Sequence, residues 1–356
     1  MESSPPSLAA IEGSLLGTAV GDALGLPREG LSPQRAERLY GAEGLEHRML
    51  WGRGLLSDDT EHSSMVGQAL LVAGADPGRF GTSLAWRLRA WLLSCPAGVG
   101  FATLRALIKL CVGFSYRRSG VFSAGNGPAM RAPLVGVCLG DTPAMRELLS
   151  VSTRITHTDP AAFEGALAVA LAAAAGREPA LSGDALLDRI AVEVQGAELL
   201  RALDLVREHL ERGAEPRAFA EALGQPRGIS GYVNHTVPAA LYCYLLSPDD
   251  FALALERVVG LGGDSDTTGA ILGGIAGARV GASGIPQPWV DGIRDWPRSV
   301  SWLRELALRL HRRFGEGASE GPSSPVPLAW PLIPARNALF LGIVLAHGFR
   351  RLLPPY

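Results

Sequence analysis

The stretch Leu261–Gly281, LGGDSDTTGAILGGIAGARVG, sets Asp264 and Asp266 either side of a serine, follows them with Thr267 and Thr268, and continues almost wholly in glycine, alanine and isoleucine. Glycine recurs there every fourth residue, at Gly269, Gly273, Gly277 and Gly281. The same spacing stands near the start of the chain in GSLLGTAVGDALG, at Gly13, Gly17, Gly21 and Gly25. Inside a helix each glycine costs about 1 kcal/mol relative to alanine. Two such ridges need a compensating gain, and close approach of helix backbones supplies one. Asp22, Asp264, Asp266 and Arg279 interrupt the apolar runs. These are therefore read as buried helices of a soluble core, with the two ridges as candidates to pack on each other.

Apolar residues at three- and four-residue spacing predict further helices over Leu8–Leu24, Glu61–Ala75, Ser83–Leu93, Ala102–Val112, Ala161–Ala175, Gly183–Arg212, Thr267–Val280 and Ser301–Phe314. Alternating β-branched runs are nearly absent, so the expected fold is all-α. The segments LPREGLSPQR, GVFSAGNGPAM and GQPRGISGYVNHT are rich in Gly, Pro, Ser and Asn and are expected to be loops, where binding groups collect on a helical scaffold.

An apolar fraction of 47% with 19% charged residues describes a chain able to bury a large core. The 33 basic and 35 acidic residues leave a net charge of −2 without a basic patch, which sets nucleic acid aside as principal ligand. Cys95, Cys111, Cys138 and Cys243 lie far apart among apolar neighbours and are expected to be reduced core thiols. The opening MESSPPSLAA lacks a basic region leading into an apolar one, and no window holds 18 uninterrupted apolar residues. The expectation is a cytoplasmic protein without a transmembrane segment. The expected organisation is a domain over 1–314, a Gly/Ser/Pro-rich linker over 315–336 and a C-terminal apolar segment over 337–356, docked back on the domain. Its apolar run, Ala338–Ala346, reads as too short to span a bilayer.

A second acidic cluster, SDDTE at Ser57–Glu61, opens another apolar helix. Hydroxyls and carboxylates in a first turn cap free N–H groups and suit the helix dipole, so capping alone accounts for either cluster singly. Capping needs one side chain, however, whereas each cluster supplies carboxylates whose mutual repulsion must be offset if they converge in a core. A cation would offset it. Oxygen ligands from Asp, Ser and Thr suit Mg²⁺ or Mn²⁺, and four aspartates are enough to hold two ions of a hydrolytic site. The scattered histidines argue against zinc.

Six motifs in order, GSLLGTAVGDALGLPRE, SDDTE, GNGPAMRAPLVGV, ITHTDPAAFEGALA, GYVNHTVPAAL and GGDSDTTGAILGGIAGARVG, resemble the ADP-ribosylglycohydrolase family over Leu8–Phe314. The resemblance implies a compact multi-helix domain with a metal centre in a central cleft. It implies two divalent cations, Mg²⁺ or Mn²⁺, on Ser57, Asp58, Asp59, Asp264, Asp266 and Thr267. The family usually has threonine where this chain has Ser57, and serine keeps the hydroxyl oxygen. Glu29 matches a family glutamate on a mobile loop and is expected, with Asp59, to be catalytic. Gly125, Asn126 and Gly127 match a loop that cradles the diphosphate of ADP-ribose and stand before an expected helix carrying Met130 and Arg131. Those glycines also fit an ordinary turn. His157 matches a cleft histidine, and Arg131 is expected to pair with an aspartate. Asp22 reads as a structural hydrogen-bond acceptor or an orienting group for a ligand. The implied substrate is an ADP-ribosylated protein or small ADP-ribose conjugate, with arginine the first choice of acceptor. A catalytically retired ADP-ribose binder and a metal-dependent phosphoesterase stand as alternatives.

Overall fold

The structure, a computed structural model, describes residues 4–41, 44–178, 180–318 and 323–354. Among these residues the chain forms seventeen α-helices and four short 3-10 turns, and its only extended pairings are isolated backbone bridges. The all-α expectation holds.

At the centre the helix Leu8–Gly25 runs antiparallel to the helix Ser265–Val280. The glycine ridges meet face to face. A methyl group at Gly13, Gly17 or Gly21 would stand 2.1, 2.0 and 2.0 Å from the carbonyl oxygens of Gly277, Gly273 and Gly269. One at Gly25 would stand 2.2 Å from that of Ser265, so the contact reaches the acidic end of the second helix. Gly281 departs from the expected ridge: at φ +70° it ends the helix, its N–H bonded to Gly277 O at 2.9 Å. Both helices are buried almost all round, which fits their lack of a polar face.

The helices Asp58–Ala73, Pro160–Ala175, Val233–Leu245, Phe251–Gly260 and Val300–Phe314 surround this pair. The expected helix Gly183–Arg212 is two helices, Gly183–Glu193 and Ala197–Glu211. The apolar spacing runs through the break, but Glu164 from another helix accepts the N–H groups of Gln195 and Gly196 at 3.2 and 3.0 Å and ends the first helix there. Segments expected as loops also begin helices: Pro33–Tyr40 starts on a proline, with the Ser32 hydroxyl accepting Arg35 N–H at 3.3 Å.

The tail departs from expectation more strongly. A turn at Trp330–Leu332 leads into an 18-residue helix, Ile333–Arg350. By length and composition alone, Trp330–Arg350 is long and apolar enough to cross a membrane, so the reading of this segment as too short does not hold. Arg336 and Asn337 interrupt the apolar run in sequence, yet both are buried against the domain. Leu339, Leu341, Leu345 and Phe349 face outward. Of the expected linker, residues 319–322 lie outside the described residues, as do the last two residues of the expected C-terminal segment. The cysteines also divide: Cys138 and Cys243 are buried, whereas Cys95 and Cys111 are exposed, and all four are free.

Candidate active site

Ser57 is the N-cap of the helix Asp58–Ala73. Its hydroxyl accepts the Asp59 N–H at 3.3 Å and stands 3.1 Å from Asp59 Oδ2, to which it donates. Asp22, reaching across from the glycine-paired helix, accepts the N–H groups of Ser57 at 2.9 Å and Thr60 at 3.2 Å. The structural reading of Asp22 is therefore correct: it caps this helix from another one. Between them Ser57 and Asp22 serve the N–H groups of Ser57, Asp59 and Thr60, while the Asp58 carboxylate takes its own backbone N–H, which leaves Asp59 without a capping duty.

Asp264 occupies the equivalent place before Ser265–Val280, but its side chain makes no capping bond. Its Oδ2 instead accepts from the Asn126 amide at 2.7 Å, and that amide also donates to Thr236 Oγ1 at 3.0 Å. The backbone beneath is pinned on two sides. Gly30 N–H donates to Gly263 O at 2.7 Å and Gly263 N–H to Leu31 O at 2.8 Å, while Asp264 N–H donates to Ile229 O at 2.7 Å. Gly263 sits at φ +77°, and a side chain there would strike the Ile229 backbone, so only glycine fits between these strands of chain. Thr267 closes the gap between the clusters by donating to Asp59 Oδ2 at 3.3 Å.

The converging carboxylates are electrostatically uncomfortable. Burial, and after it the neighbouring acids, raise Asp58, Asp59 and Asp266 well above the ordinary carboxylate range. Burial likewise raises Asp22 from 3.8 to about 6 against the hydrogen bonds from Thr60 and Ser57. Glu29 keeps an exposed edge yet is raised by the chain crowded around it and then by Asp264, with Arg351 opposing. Asp59 Oδ1 and Asp266 Oδ1 are buried without a hydrogen-bond partner. Among the described residues no three His, Cys, Asp or Glu side chains are gathered closely enough to hold a metal as they stand. The fit to divalent cations rests on the donors: two orphaned carboxylate oxygens, Asp59 Oδ1 and Asp266 Oδ1, with the Ser57 and Thr267 hydroxyls meeting on Asp59 Oδ2 beside them, form a hard, all-oxygen set.

Above them opens a cleft of about 500 Å³, lined by Glu29, Asp58, Asp264, Asp266 and Thr267 on its acidic side and by Gly125, Asn126, Gly127, Met130 and His157 opposite. Ser57 and Asp59 lie beneath this lining, 5% and 1% exposed, so any role of theirs is exerted from below the floor. His157 accepts or donates at Nδ1 to Thr156 Oγ1 at 2.9 Å, and burial, helped by Arg131, lowers its pKa to about 3. It is a neutral imidazole at ordinary pH.

Two expectations need correction. Gly125–Gly127 precedes a three-residue 3-10 turn, Ala129–Arg131, since Pro128 and Pro133 punctuate the segment and delay the helix to Pro133–Leu139. Two of its N–H groups are engaged, Asn126 with Gly231 O at 3.0 Å and Gly125 with Ser123 Oγ at 3.3 Å. Arg131 is fully buried and hydrogen-bonded to Ser152, Thr156 and His62, and its attraction to an aspartate is the longer-range one of Asp58, which opposes the lowering of its pKa by burial. Phe101 and Phe122 at the cleft mouth, 75% and 77% exposed, escaped sequence reasoning because exposed aromatics carry no periodic signal. Nor did the sequence announce the bond between Asn126 and Asp264, which are 138 residues apart.

The chain is similar to known proteins over most of its length. A family model described as ADP-ribosylglycohydrolase matches residues 3–319. An uncharacterized protein of Archaeoglobus fulgidus is 34% identical over 305 residues, covering 83% of this chain and 94% of that one. The ADP-ribosyl-[dinitrogen reductase] glycohydrolase of Rhodospirillum rubrum is 29% identical over 314 residues, covering 83% and 95%. A solved structure of an ADP-ribosylglycohydrolase-related protein complex superposes with a TM-score of 0.66 at 29% identity, covering 86% of this chain and 98% of that chain. With the family model running over residues 3–319 and relatives aligned over most of its length, this chain belongs to the ADP-ribosylglycohydrolase family.

Proposed function

We propose that this protein hydrolyses the bond between ADP-ribose and its acceptor, with two divalent cations, Mg²⁺ or Mn²⁺, held by Ser57, Asp58, Asp59, Asp264, Asp266 and Thr267. The observation that carries the reading is the pair of unpartnered, buried oxygens on Asp266, which lines the cleft, and on Asp59, which lies beneath that lining. Such cations, when bound, supply Lewis acidity and an orienting field for vicinal sugar hydroxyls.

The chain's own residues would divide the remaining work. Asp58, Asp264 and Asp266 turn negative charge toward the sugar, where positive charge develops as the glycosidic bond breaks. Glu29, with its raised pKa at the cleft edge, suits proton transfer to or from the departing acceptor. Asn126 steadies Asp264, and neutral His157 offers a hydrogen bond without adding a positive charge to the cleft. The backbone of Gly125 and Gly127 lets a diphosphate approach closely, because a methyl group at either would press on the His157 ring at 3.1–3.2 Å. The rings of Phe101 and Phe122 at the mouth suit a flat base.

An ADP-ribosylated protein is the proposed substrate, in line with a relative named for acting on ADP-ribosyl-[dinitrogen reductase], and arginine is the acceptor proposed first. The test is a panel of arginine-linked, serine-linked and small-molecule ADP-ribose conjugates with Mg²⁺ or Mn²⁺, read as free ADP-ribose. Fastest release from the arginine linkage is expected. Faster release from serine would reassign the acceptor, release of AMP or phosphate would make the protein a phosphoesterase, and binding without release would make it a reader.

A further inference from the structure

The family match ends at residue 319, but the chain continues into a helix that returns to the site. Arg351, just past its end, donates from one guanidinium nitrogen to Glu29 O at 2.7 Å and from another to Pro27 O at 2.8 Å. Tyr40 also donates to Pro27 O, at 3.0 Å, and Arg35 donates to the Arg351 carbonyl. At the other end of the helix, Arg336 bonds Asp295 Oδ1 at 3.1 Å and the carbonyl of Leu56, the residue before Ser57. Asp295 in turn accepts Leu56 N–H at 2.9 Å. Midway, Phe340 packs with Leu26 and Leu55, one residue ahead of Pro27 and two ahead of Ser57.

We infer that the tail helix is a positioning strap that ties together the two segments bearing Glu29 and Ser57–Asp59, with Arg351 as the positioning residue for the Glu29 turn. Three contacts along the tail reach residues next to the site, the two arginines on backbone carbonyls and Phe340 on the side chains of Leu26 and Leu55. The planar guanidinium suits this task, since its fork spans two carbonyls at once. The turn has other anchors, Glu29 N–H to Leu26 O at 3.3 Å, Leu31 N–H to Arg28 O at 3.0 Å, the paired bonds of Gly30 and Leu31 with Gly263, and Tyr40 on Pro27 O, and Arg351 adds the hold on the Glu29 carbonyl. Arg351 acts on Glu29 through its backbone and, by its charge, opposes the rise in the Glu29 carboxyl pKa.

The inference rests on the proposed hydrolase reading for its kinetic arm alone. The experiment compares the full-length wild type with Arg351→Ala and Arg351→Lys by amide hydrogen exchange and by steady-state turnover. In Arg351→Ala, exchange in a peptide covering residues 26–31 should quicken about tenfold while the helix Asp58–Ala73 exchanges as before, which controls for global unfolding. Its kcat should fall about tenfold with KM nearly unchanged. Arg351→Lys, able to hold one carbonyl only, should lie between. Unchanged exchange at 26–31 overturns the strap, and so does quickened exchange with wild-type kcat. If the wild type releases no ADP-ribose from any linkage, the hydrolase reading fails and the exchange arm alone decides the strap.

Discussion

His157 shows how burial sets chemistry at a single residue. Its pKa of about 3 lies below the 6.5 of an exposed imidazole, so the folded state binds that proton more weakly than the unfolded state does. Stability from this group is complete above pH 6.5 and is lost as pH falls toward 3. At pH 5 the loss should reach about 2 kcal/mol. Denaturant titrations of wild type and His157→Gln should therefore converge by about that amount between pH 7 and pH 5, and a constant gap would contradict the assignment. The acids have the opposite sign. Asp22, raised to about 6, contributes stability that is present below 3.8 and is lost as pH rises through 6, and Asp58, Asp59 and Asp266 share that direction. Added Mn²⁺ should offset the repulsion, so its rise in Tm should be larger at pH 7.5 than at pH 5 and should be lost in Asp266→Ala. Equal rises at both pH values would dissociate the cation from these carboxylates. The acidic clusters were legible in the sequence because a helix start gathers its ligands from consecutive residues. Asn126 on Asp264 and Arg351 on Glu29 were not, since nothing local marks a partner over a hundred residues away.

Among the elements, the glycine-paired helices carry the most specific packing claim. Gly17→Ala would drive a methyl group to 2.0 Å from the Gly273 carbonyl. Separating two buried helices in this way should cost about 3 kcal/mol or more in stability. Gly342→Ala on the tail helix meets nothing within 4 Å and should instead gain up to about 1 kcal/mol. Chemical denaturation reads both, and equal effects would refute the close-packed seam. This pairing could be read in advance because repeated glycine is costly unless a backbone lies against it. Helix breaks were harder: Glu164 ends the helix at Glu193 from outside it, and spacing alone sees only the apolar positions that continue. The tail helix inverts the usual pattern, turning Arg336 and Asn337 inward to Asp295 and Ser94 while its leucines face out. A reading that equates polar with exposed shortens such a helix at both residues.

For the whole molecule, the fold places two helix starts from opposite parts of the chain around one cleft, and the seam of glycine sets their separation. Ser57–Asp59 and Asp264–Thr267 are linked through Thr267 and Asp59 at 3.3 Å, while Glu29 lines the cleft and the tail holds the Glu29 backbone. The arrangement belongs to the family domain, and the strap adds to it a segment beyond the family match. The central claim is that the two acidic clusters form one cation-dependent hydrolytic site. It is tested most directly by measuring ADP-ribose release from an ADP-ribosylated arginine substrate as Mn²⁺ is titrated into metal-stripped wild type, Asp59→Ala and Asp266→Ala. Turnover should rise from background with Mn²⁺ in the wild type and stay at least about a thousandfold lower in both variants, whose helices lie on opposite sides of the cleft. Full turnover in the stripped wild type, or in either variant, would contradict it.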